Sequence, residues 1–379
     1  MAGFDLLVRG GRVIDPAQDL DEILDVAFRD GRVAAVAPRL PSKEAHEVLD
    51  AGRCLVVPGL IDLHTHLYWG ATALGVDADA AGSAGGVTTL VDAGSAGAGN
   101  FAGFHRFVIE GSRARVFAFL NIAFPGIYAF GDRVRLGEAA DERLLDVASC
   151  VETARRHRQS IRGIKVRLGR HGSGTRGLAS LAPALAAAAE AELPLMVHID
   201  EPPPTLREVV GALRPGDILT HVYRPLTDES PEDVIAGLRD ARQRGVITDV
   251  AHGQGSFSFA VARAALEKGL GPDVISSDLH RYNIRGPARD LLTTMAKFRA
   301  LGLSWGEIIE SVTVRPAGVL GRTDLGTLTP GSAGDAAIFR LETGEFPLED
   351  CGGDRITGGE RLVPRAVIRE GRRWRSTVA

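Results

Sequence analysis

Eight short apolar segments, spread over residues 60–278, alternate with stretches that are long enough to form helices. This rhythm is typical of consecutive βα units, in which each strand is followed by a helix that packs on the sheet. Eight such units predict an α/β fold whose strands close into a (β/α)8 TIM barrel rather than an open sheet. The predicted strands are 60–66, 88–93, 116–122, 163–168, 195–199, 218–223, 246–251 and 274–278.

Both ends of the chain have a different pattern. Residues 5–15 alternate apolar and polar side chains around Gly10-Gly11, which is typical of a β-hairpin. Residues 336–341 and 366–369 continue in the same style. We therefore expect the two ends to meet in one small β-sandwich beside the barrel. The predicted boundaries are 1–58 for the N-terminal part of the sandwich, 59–324 for the barrel and 325–379 for the C-terminal part.

Composition excludes several classes of partner. The chain has 379 residues and a net charge of −4, which indicates neither nucleic acid nor an anionic membrane as a partner. Cys54, Cys150 and Cys351 form no Cys-x-x-Cys pair, which favours a reducing compartment over a disulfide framework. Neither an N-terminal signal nor an apolar run of membrane-spanning length is visible, so we expect a cytoplasmic protein.

The first predicted strand ends in Asp62-Leu63-His64-Thr65-His66. Residues two apart on a strand point to the same side, so His64 and His66 converge as two ligands of one metal ion must. The alternative is a polar pair that only marks the end of a strand. This spacing alone does not decide between the two interpretations.

Further residues that can bind metals end other predicted strands. Lys165, His198, His221 and Asp278 lie at or near the carboxyl ends of the fourth, fifth, sixth and eighth strands. Each alone has an ordinary explanation: a lysine that reaches solvent, a hydrogen-bonded histidine or an aspartate that caps a helix. Together with the histidine pair they occupy one end of five strands, the face on which barrel enzymes build active sites. The combination predicts a metal centre there.

Three longer motifs resemble the amidohydrolase superfamily, in its two-metal branch with a carboxylated lysine. They are Pro58–His66, Gly86–Thr89 and Gly326–Ala336. The resemblance implies two divalent ions, with zinc as the expected metal. It implies these ligands: His64, His66 and Asp278 for the more buried ion, His198 and His221 for the second, and Lys165, as N6-carboxylysine, bridging both.

The resemblance also implies a hydrolytic mechanism. A water shared by the two ions becomes a hydroxide and attacks a carbonyl carbon. Asp278 accepts the proton from this nucleophile and then delivers it to the leaving group. Asp278 is therefore the expected catalytic residue.

Within the superfamily, several segments narrow the range of expected substrates. Dihydroorotases typically carry an arginine two residues after the second histidine, where this chain has Tyr68. The segments 66–70, 92–101, 120–123 and 277–280 are similar to a dihydroorotase-like amidohydrolase/deacetylase subgroup. This resemblance implies deacetylation of small acetylated α-hydroxy or α-amino acids, similar to acetyl-(R)-mandelate. The alternatives are a cyclic amidase and a metal-free scaffolding relative, although the complete ligand set speaks against the scaffold.

A small carboxylate substrate needs groups that bind it beside the metals. Residues that follow predicted barrel strands are the candidates, although each could equally be a surface or loop residue without a role. A homo-oligomer is also expected from the resemblance. The candidate substrate contacts are Tyr68, Ser95, Arg170, His252, His280 and Tyr282.

Overall fold

The computed structural model describes residues 3–131, 133–225 and 229–374. Two sheets dominate these residues: a mixed sheet built from both ends of the chain, and a curled parallel sheet built from the middle. None of the helices in these ranges combines the length and the apolar character that a bilayer crossing requires.

The mixed sheet joins the two ends of the chain. Its strand order is β15-β14-β13-β5-β1-β2-β3, and β4 pairs with β1. The junction is the antiparallel pairing of β5 with β13, which aligns Val57 with Ala337. This pairing brings the two ends of the chain into one sheet. The strands are β1 Phe4–Asp15, β2 Leu20–Arg29, β3 Arg32–Ala37, β4 Ala45–Asp50, β5 Cys54–Pro58, β13 Ala336–Glu349, β14 Arg355–Arg369 and β15 Arg372–Arg373.

The parallel sheet contains seven strands in consecutive order, from β6 to β12. Most of their side chains are buried, as expected for parallel strands that helices cover. Seven of the eight predicted strand positions are thus strands. They are β6 Leu60–Thr65, β7 Val87–Gly97, β8 Arg115–Asn121, β9 Ile161–Arg167, β10 Leu195–His198, β11 Ile218–Thr220 and β12 Ile247–Asp249.

The eighth predicted strand, residues 274–278, is not a regular strand. The segment makes one isolated parallel bridge to β12, between Val274 and Asp249, and the next residue, Leu279, makes one to Thr65 of β6. In this region side-chain oxygen atoms accept some of the amide hydrogen bonds that backbone carbonyls accept in a regular parallel sheet. The amide of Ala251 donates to Ser276 Oγ at 3.1 Å, and the amide of Ser277 donates to a side-chain oxygen of Asp62 at 3.0 Å.

Helices follow most of the parallel strands. Capping residues and a proline in the sequence determine where several of them begin. α5 and α9 begin with capping boxes, Thr205 with Glu208 and Ser304 with Glu307. α6 begins at Pro231, which is compatible with a first helical turn. The helices are α1 Ala78–Gly85, α2 Phe101–Phe104, α3 Val147–Arg156, α4 Leu181–Glu190, α5 Leu206–Ala212, α6 Pro231–Gln243, α7 Phe259–Glu267, α8 Leu291–Ala300, α9 Trp305–Val312 and α10 Val314–Val319.

Gly59 is the point at which the chain passes from the mixed sheet to the parallel sheet. Its amide donates to the carbonyl of Asp335 at 2.9 Å, so the two sheets are tied together there. A β-carbon at this position would lie 2.2 Å from Thr88 Oγ1 and 2.8 Å from the Asp335 β-carbon. Only glycine allows this close approach without a shift of the surrounding residues.

Candidate active site

The six residues predicted as metal ligands lie together at the carboxyl end of the parallel sheet. Donor atoms of His64, His221 and Asp278 all fall within 4.8 Å of one another. The other three adjoin this group through short contacts. They are His66 Nε2 to Asp278 Oδ1 at 3.1 Å, Lys165 Nζ to His64 Nε2 at 3.4 Å, and the rings of His198 and His221 at 4.3 Å between centroids.

Three of the histidines are oriented through Nδ1. His64 Nδ1 lies 3.2 Å from an oxygen of Asp249, and His66 Nδ1 lies 3.0 Å from Ser95 Oγ. His221 Nδ1 lies 2.8 Å from the carbonyl oxygen of Ala251. Partners of this kind fix the ring and leave Nε2 to face the other candidate ligands, which is the usual arrangement for a histidine that binds a metal.

Two buried aspartates, Asp62 and Asp249, form hydrogen bonds next to the candidate ligands. Asp62 accepts hydrogen bonds from the hydroxyl and amide of Ser277, and Asp249 accepts one from Ser276 Oγ at 2.5 Å. Burial raises the pKa of both Asp62 and Asp249 to about 7, although these hydrogen bonds oppose the effect. The two carboxyl groups therefore connect the first, seventh and eighth βα units beneath the histidines.

Lys165 is the most unusual cation in the site, since its side chain is buried on β9 beside His64. Burial lowers its pKa to about 7, so a large fraction of the amine is neutral at physiological pH. Gly94 makes room for it, because a β-carbon there would lie 2.7 Å from Lys165 Cγ. A neutral ε-amine is the form that reacts with carbon dioxide.

Four other site groups have protonation states that suit metal binding. Burial holds the pKa values of His64, His198 and His221 well below their ordinary value, so these imidazoles are neutral. Burial raises the pKa of Asp278, but the hydrogen bond from His66 and the electrostatic effect of the neighbouring histidine rings outweigh it, and the pKa falls to about 2. Asp278 is therefore a carboxylate at neutral pH.

Two of these histidines carry buried atoms that lack a partner. Nε2 of His198 and Nε2 of His221 are enclosed and form no hydrogen bond among the described residues. Such atoms carry a free-energy cost unless something binds them. Neutral imidazoles, a carboxylate and a neutral amine around these atoms form a donor set that fits divalent metal ions.

The backbone at the site adopts an uncommon conformation. His221 and Asp278 have φ values of 67° and 49°, and Ala251, which orients His221, has a φ of 41°. Non-glycine residues rarely occupy the left-handed region, and such residues concentrate at functional sites. These turns direct side chains at the ends of the strands toward the common centre.

A cavity of about 340 Å³ is lined by five of the six candidate ligands, all except His221. This volume is suitable for a small molecule. Besides the metal-binding candidates, its wall contains both charged and apolar side chains. They are Leu74, Ile127, Phe130, Arg135, Arg167, His171, Asp200, Arg224, Gln254, Ser256 and His280.

Of the six candidate substrate contacts, His280 lines the cavity. It is buried, and burial lowers its pKa to about 4, so its imidazole is neutral. Ser95 orients His66 instead, and the Tyr68 hydroxyl donates to the carbonyl of Asn100 at 3.1 Å. Neither of these two side chains lines the cavity, so the geometry gives no support to their predicted contact with substrate.

The other three candidates also lie outside the cavity lining. Arg170 is exposed and pairs with Glu201 at 3.8 Å. Tyr282 is half-buried, with its ring 6.0 Å from that of His280. His252 is buried and stacks on Phe257 at 4.6 Å between centroids. Their observed contacts are with the protein itself.

Three arginines and one aspartate of the cavity were missed from the sequence: Arg135, Arg167, Arg224 and Asp200. For two of them, Arg167 and Asp200, the spacing in the sequence could have indicated a position at the site. Arg167 lies two residues after Lys165 on β9, so strand alternation places both side chains on the same face. Asp200 lies two residues after His198, just beyond the end of β10. Arg135 and Arg224 lie in loops, where no periodicity indicates a direction.

His252 belongs to a buried network around Lys297. Lys297 Nζ lies 2.6 Å from His252 Nε2 and donates to the carbonyls of Pro287 and Glu349 at 2.8 and 2.7 Å. Three acceptors therefore surround one ammonium group. The network ties the segment after β12 to the C-terminal end of β13, and so connects the two sheets near the site.

We expect Lys297→Met to lower the free energy of unfolding by about 3 kcal/mol. Two buried carbonyls and His252 would lose their donor, at a cost of roughly 1–3 kcal/mol for each unsatisfied group. Urea unfolding of the variant, compared with that of Lys268→Met at an exposed position, measures the difference. Equal midpoints for the two variants would show that the network contributes nothing to stability.

Comparison with known proteins identifies the family of this chain. The model of the amidohydrolase family matches residues 55–372. A deacetylase of Brucella anthropi is 36% identical over 343 residues, which cover 90% of this chain and 85% of that protein. Two solved structures superpose over nearly the whole chain. They are a dihydroorotase, with a TM-score of 0.90, 32% identity and 97% coverage of each chain, and an adenine deaminase, with 0.89, 31% and coverage of 98% and 100%.

The fold and the site together define an enzyme that hydrolyses its substrate on a parallel α/β scaffold of the TIM-barrel type. The chain belongs to the amidohydrolase family. The family resemblance inferred from the sequence motifs is thereby confirmed.

Proposed function

We propose that the protein is a metal-dependent deacetylase of small acetylated α-hydroxy or α-amino acids. The observation that carries the proposal is the convergence of six potential ligands beneath one small cavity. The names of relatives support the choice of reaction, since the similar protein of Brucella anthropi is called a deacetylase.

In this proposal His64, His66 and Asp278 would hold one ion, and His198 and His221 would hold a second. Lys165, carboxylated on its ε-amine, would be a ligand shared by both, and zinc is the proposed metal. The pKa of Lys165, lowered to about 7 by burial, supports the carboxylation. When bound, such ions would activate a water molecule and polarise the carbonyl group of the substrate.

The residues of the chain supply the proton transfer and the orientation. Asp278, a carboxylate near His66, accepts the proton of the attacking water and donates it to the leaving alcohol or amine. Asp249, Ser95 and the carbonyl of Ala251 keep the histidines in place during turnover. The cavity volume of about 340 Å³ suits a small acid.

A stereochemically paired panel of O- and N-acetylated acids, assayed with zinc-loaded protein, tests this function. We expect kcat/KM for acetylated (R)-hydroxy or D-amino acids to exceed that for cyclic ureides by roughly 100-fold or more. Each mispaired polar contact costs on the order of 1–3 kcal/mol, so a few contacts account for this ratio. Asp278→Asn protein, prepared identically, controls for contaminating hydrolases. Preference for dihydroorotate or a hydantoin would contradict the proposal.

A cyclic amidase is the second candidate function. It is favoured by the TM-score of 0.90 to a structure described as a dihydroorotase. Tyr68 stands where dihydroorotases typically carry an arginine, and its hydroxyl is engaged with Asn100, which argues against that activity. The same substrate panel separates the two functions.

Two structural features belong to the same proposal. We propose that the two bridges of residues 274–279 close the parallel sheet into a (β/α)8 barrel. The mixed sheet would then be a β-sandwich that encloses a separate apolar cluster, which includes Leu6, Val26 and Ile338. The corresponding domain boundaries are 1–58, 59–324 and 325–379.

A further inference from the structure

Arg224 is a partly buried cation that forms no ion pair with a carboxylate among the described residues. It lies three residues after His221, in a turn closed by a 3.1 Å hydrogen bond from its amide to the carbonyl of His221. Its Nη1 donates to the carbonyl of Ile199 at 2.7 Å, while its Nε is enclosed and unpartnered. Burial lowers the pKa of Arg224, although the carboxylate of Asp200 opposes the effect. A guanidinium in such surroundings favours an anion as its neighbour.

Two other charged groups of the cavity have contacts within the protein. Arg167 pairs with Glu138 at 3.0 Å, and both side chains are buried. Asp200 Oδ1 accepts a hydrogen bond from the amide of His171 at 3.2 Å, while Oδ2 lies 3.5 Å from Nε2 of His198 and forms no hydrogen bond among the described residues. Arg135 is exposed and lies over the ring of Phe130. Of the three arginines that line the cavity in the described part of the chain, Arg224 is therefore the one with an enclosed, unpartnered guanidinium nitrogen available for a ligand.

Part of the cavity wall is apolar. Leu74, Ile127 and Phe130 line it, and the guanidinium of Arg135 covers the ring of Phe130 at 4.5 Å from the centroid. The cavity thus combines a partly buried cation, a set of metal-binding candidates and an apolar surface within about 340 Å³. A ligand that satisfies all three carries a carboxylate, a hydrolysable carbonyl and one apolar group.

We propose that Arg224 binds the carboxylate of the substrate and makes a free carboxylate a requirement for recognition. The apolar group on the same carbon contacts Leu74, Ile127 and Phe130. The substrate class is therefore a monocarboxylic acid whose acylated α-carbon bears one apolar substituent. The position of the acyl group rests on the proposed deacetylase function, whereas the carboxylate contact does not.

Binding of an unreactive pair of ligands tests the contact without relying on activity. The probes are 2-hydroxy-2-phenylacetate and its neutral primary amide, titrated into the metal-loaded protein by calorimetry. We expect Arg224→Met to weaken binding of the acid by about 10- to 100-fold, the range for a hydrogen bond to a charged group, and to leave the amide unchanged. Arg224→Lys should lose less affinity for the acid than Arg224→Met, since lysine keeps the charge but not the planar pair of donors.

Arg207→Met is the matched control, because Arg207 is exposed on α5 and lies outside the cavity. Thermal unfolding verifies that each variant is folded. If Arg224→Met does not fold, Arg224→Lys carries the test, with a selective loss of about tenfold for the acid. Equal loss for acid and amide, or no loss for the acid, overturns the assignment. Selective loss of acid binding in a protein that fails to hydrolyse acetylated acids would contradict the deacetylase function and leave Arg224 as the carboxylate contact.

Discussion

Lys165→Ala should empty the metal centre, and a small carboxylic acid should restore it. The lysine side chain is buried beside His64, so its removal deletes the proposed bridging oxygens and leaves a space lined by ligand atoms. Outer partners of metal ligands alone contribute about 10- to 100-fold to affinity, so loss of a bridging ligand should cost more than about 100-fold in metal affinity. Metal content by elemental analysis and turnover, each with and without acetate or propionate, measure the effect.

Lys268→Ala is the control for this variant, because Lys268 is exposed at the end of α7. It should retain wild-type metal content and show no response to the added acid. Full metal content in Lys165→Ala without any rescue would show that the carboxylated bridge does not exist. Bicarbonate depletion of the wild-type apoprotein before metal loading gives an independent measure of the same bridge.

Asp278→Asn is expected to retain metal and lose nearly all turnover. The carboxylate is proposed as the acceptor and donor of the transferred proton, a role worth about 10²- to 10⁴-fold in rate. An amide of the same shape keeps an oxygen near His66 but cannot accept the proton. Elemental analysis and kcat on the preferred acetylated acid should separate binding from catalysis.

Asp19→Asn is a suitable control, since Asp19 is exposed in a left-handed turn that asparagine also tolerates. It should show unchanged kcat and metal content. Near wild-type kcat in Asp278→Asn would remove Asp278 from the proton transfer. Loss of metal together with activity would instead assign Asp278 a role in metal retention alone.

Much of the fold followed from the sequence because strand and helix periodicities are local properties. Residues 274–278 are the exception, since they look like a strand in the sequence. The tertiary contacts of Ser276 with Asp249 and of Ser277 with Asp62 replace part of the ladder there. Local patterning carries no information about such partners, which lie far away along the chain.

The candidate metal ligands could be predicted from the sequence for a similar reason. A residue at the carboxyl end of a barrel strand has a defined position, so His64, Lys165 and His198 could be placed together from spacing alone. Substrate contacts could not be predicted in this way, because the direction of a side chain in a loop depends on contacts that the sequence does not encode locally. His252 points into the Lys297 network, and Arg224, without a periodic pattern around it, lines the cavity.

The pairing of β5 with β13 has a consequence for how the protein is made. Residues 54–58 leave the ribosome long before residues 336–340, their partners in the finished sheet. Throughout this interval one edge of β5 lacks its neighbour, and an open edge can pair with another chain. Completion of the mixed sheet is therefore a late event of high contact order, which makes it slow. Chains that have not yet reached residue 336 are therefore the species in which strand pairing between molecules is expected.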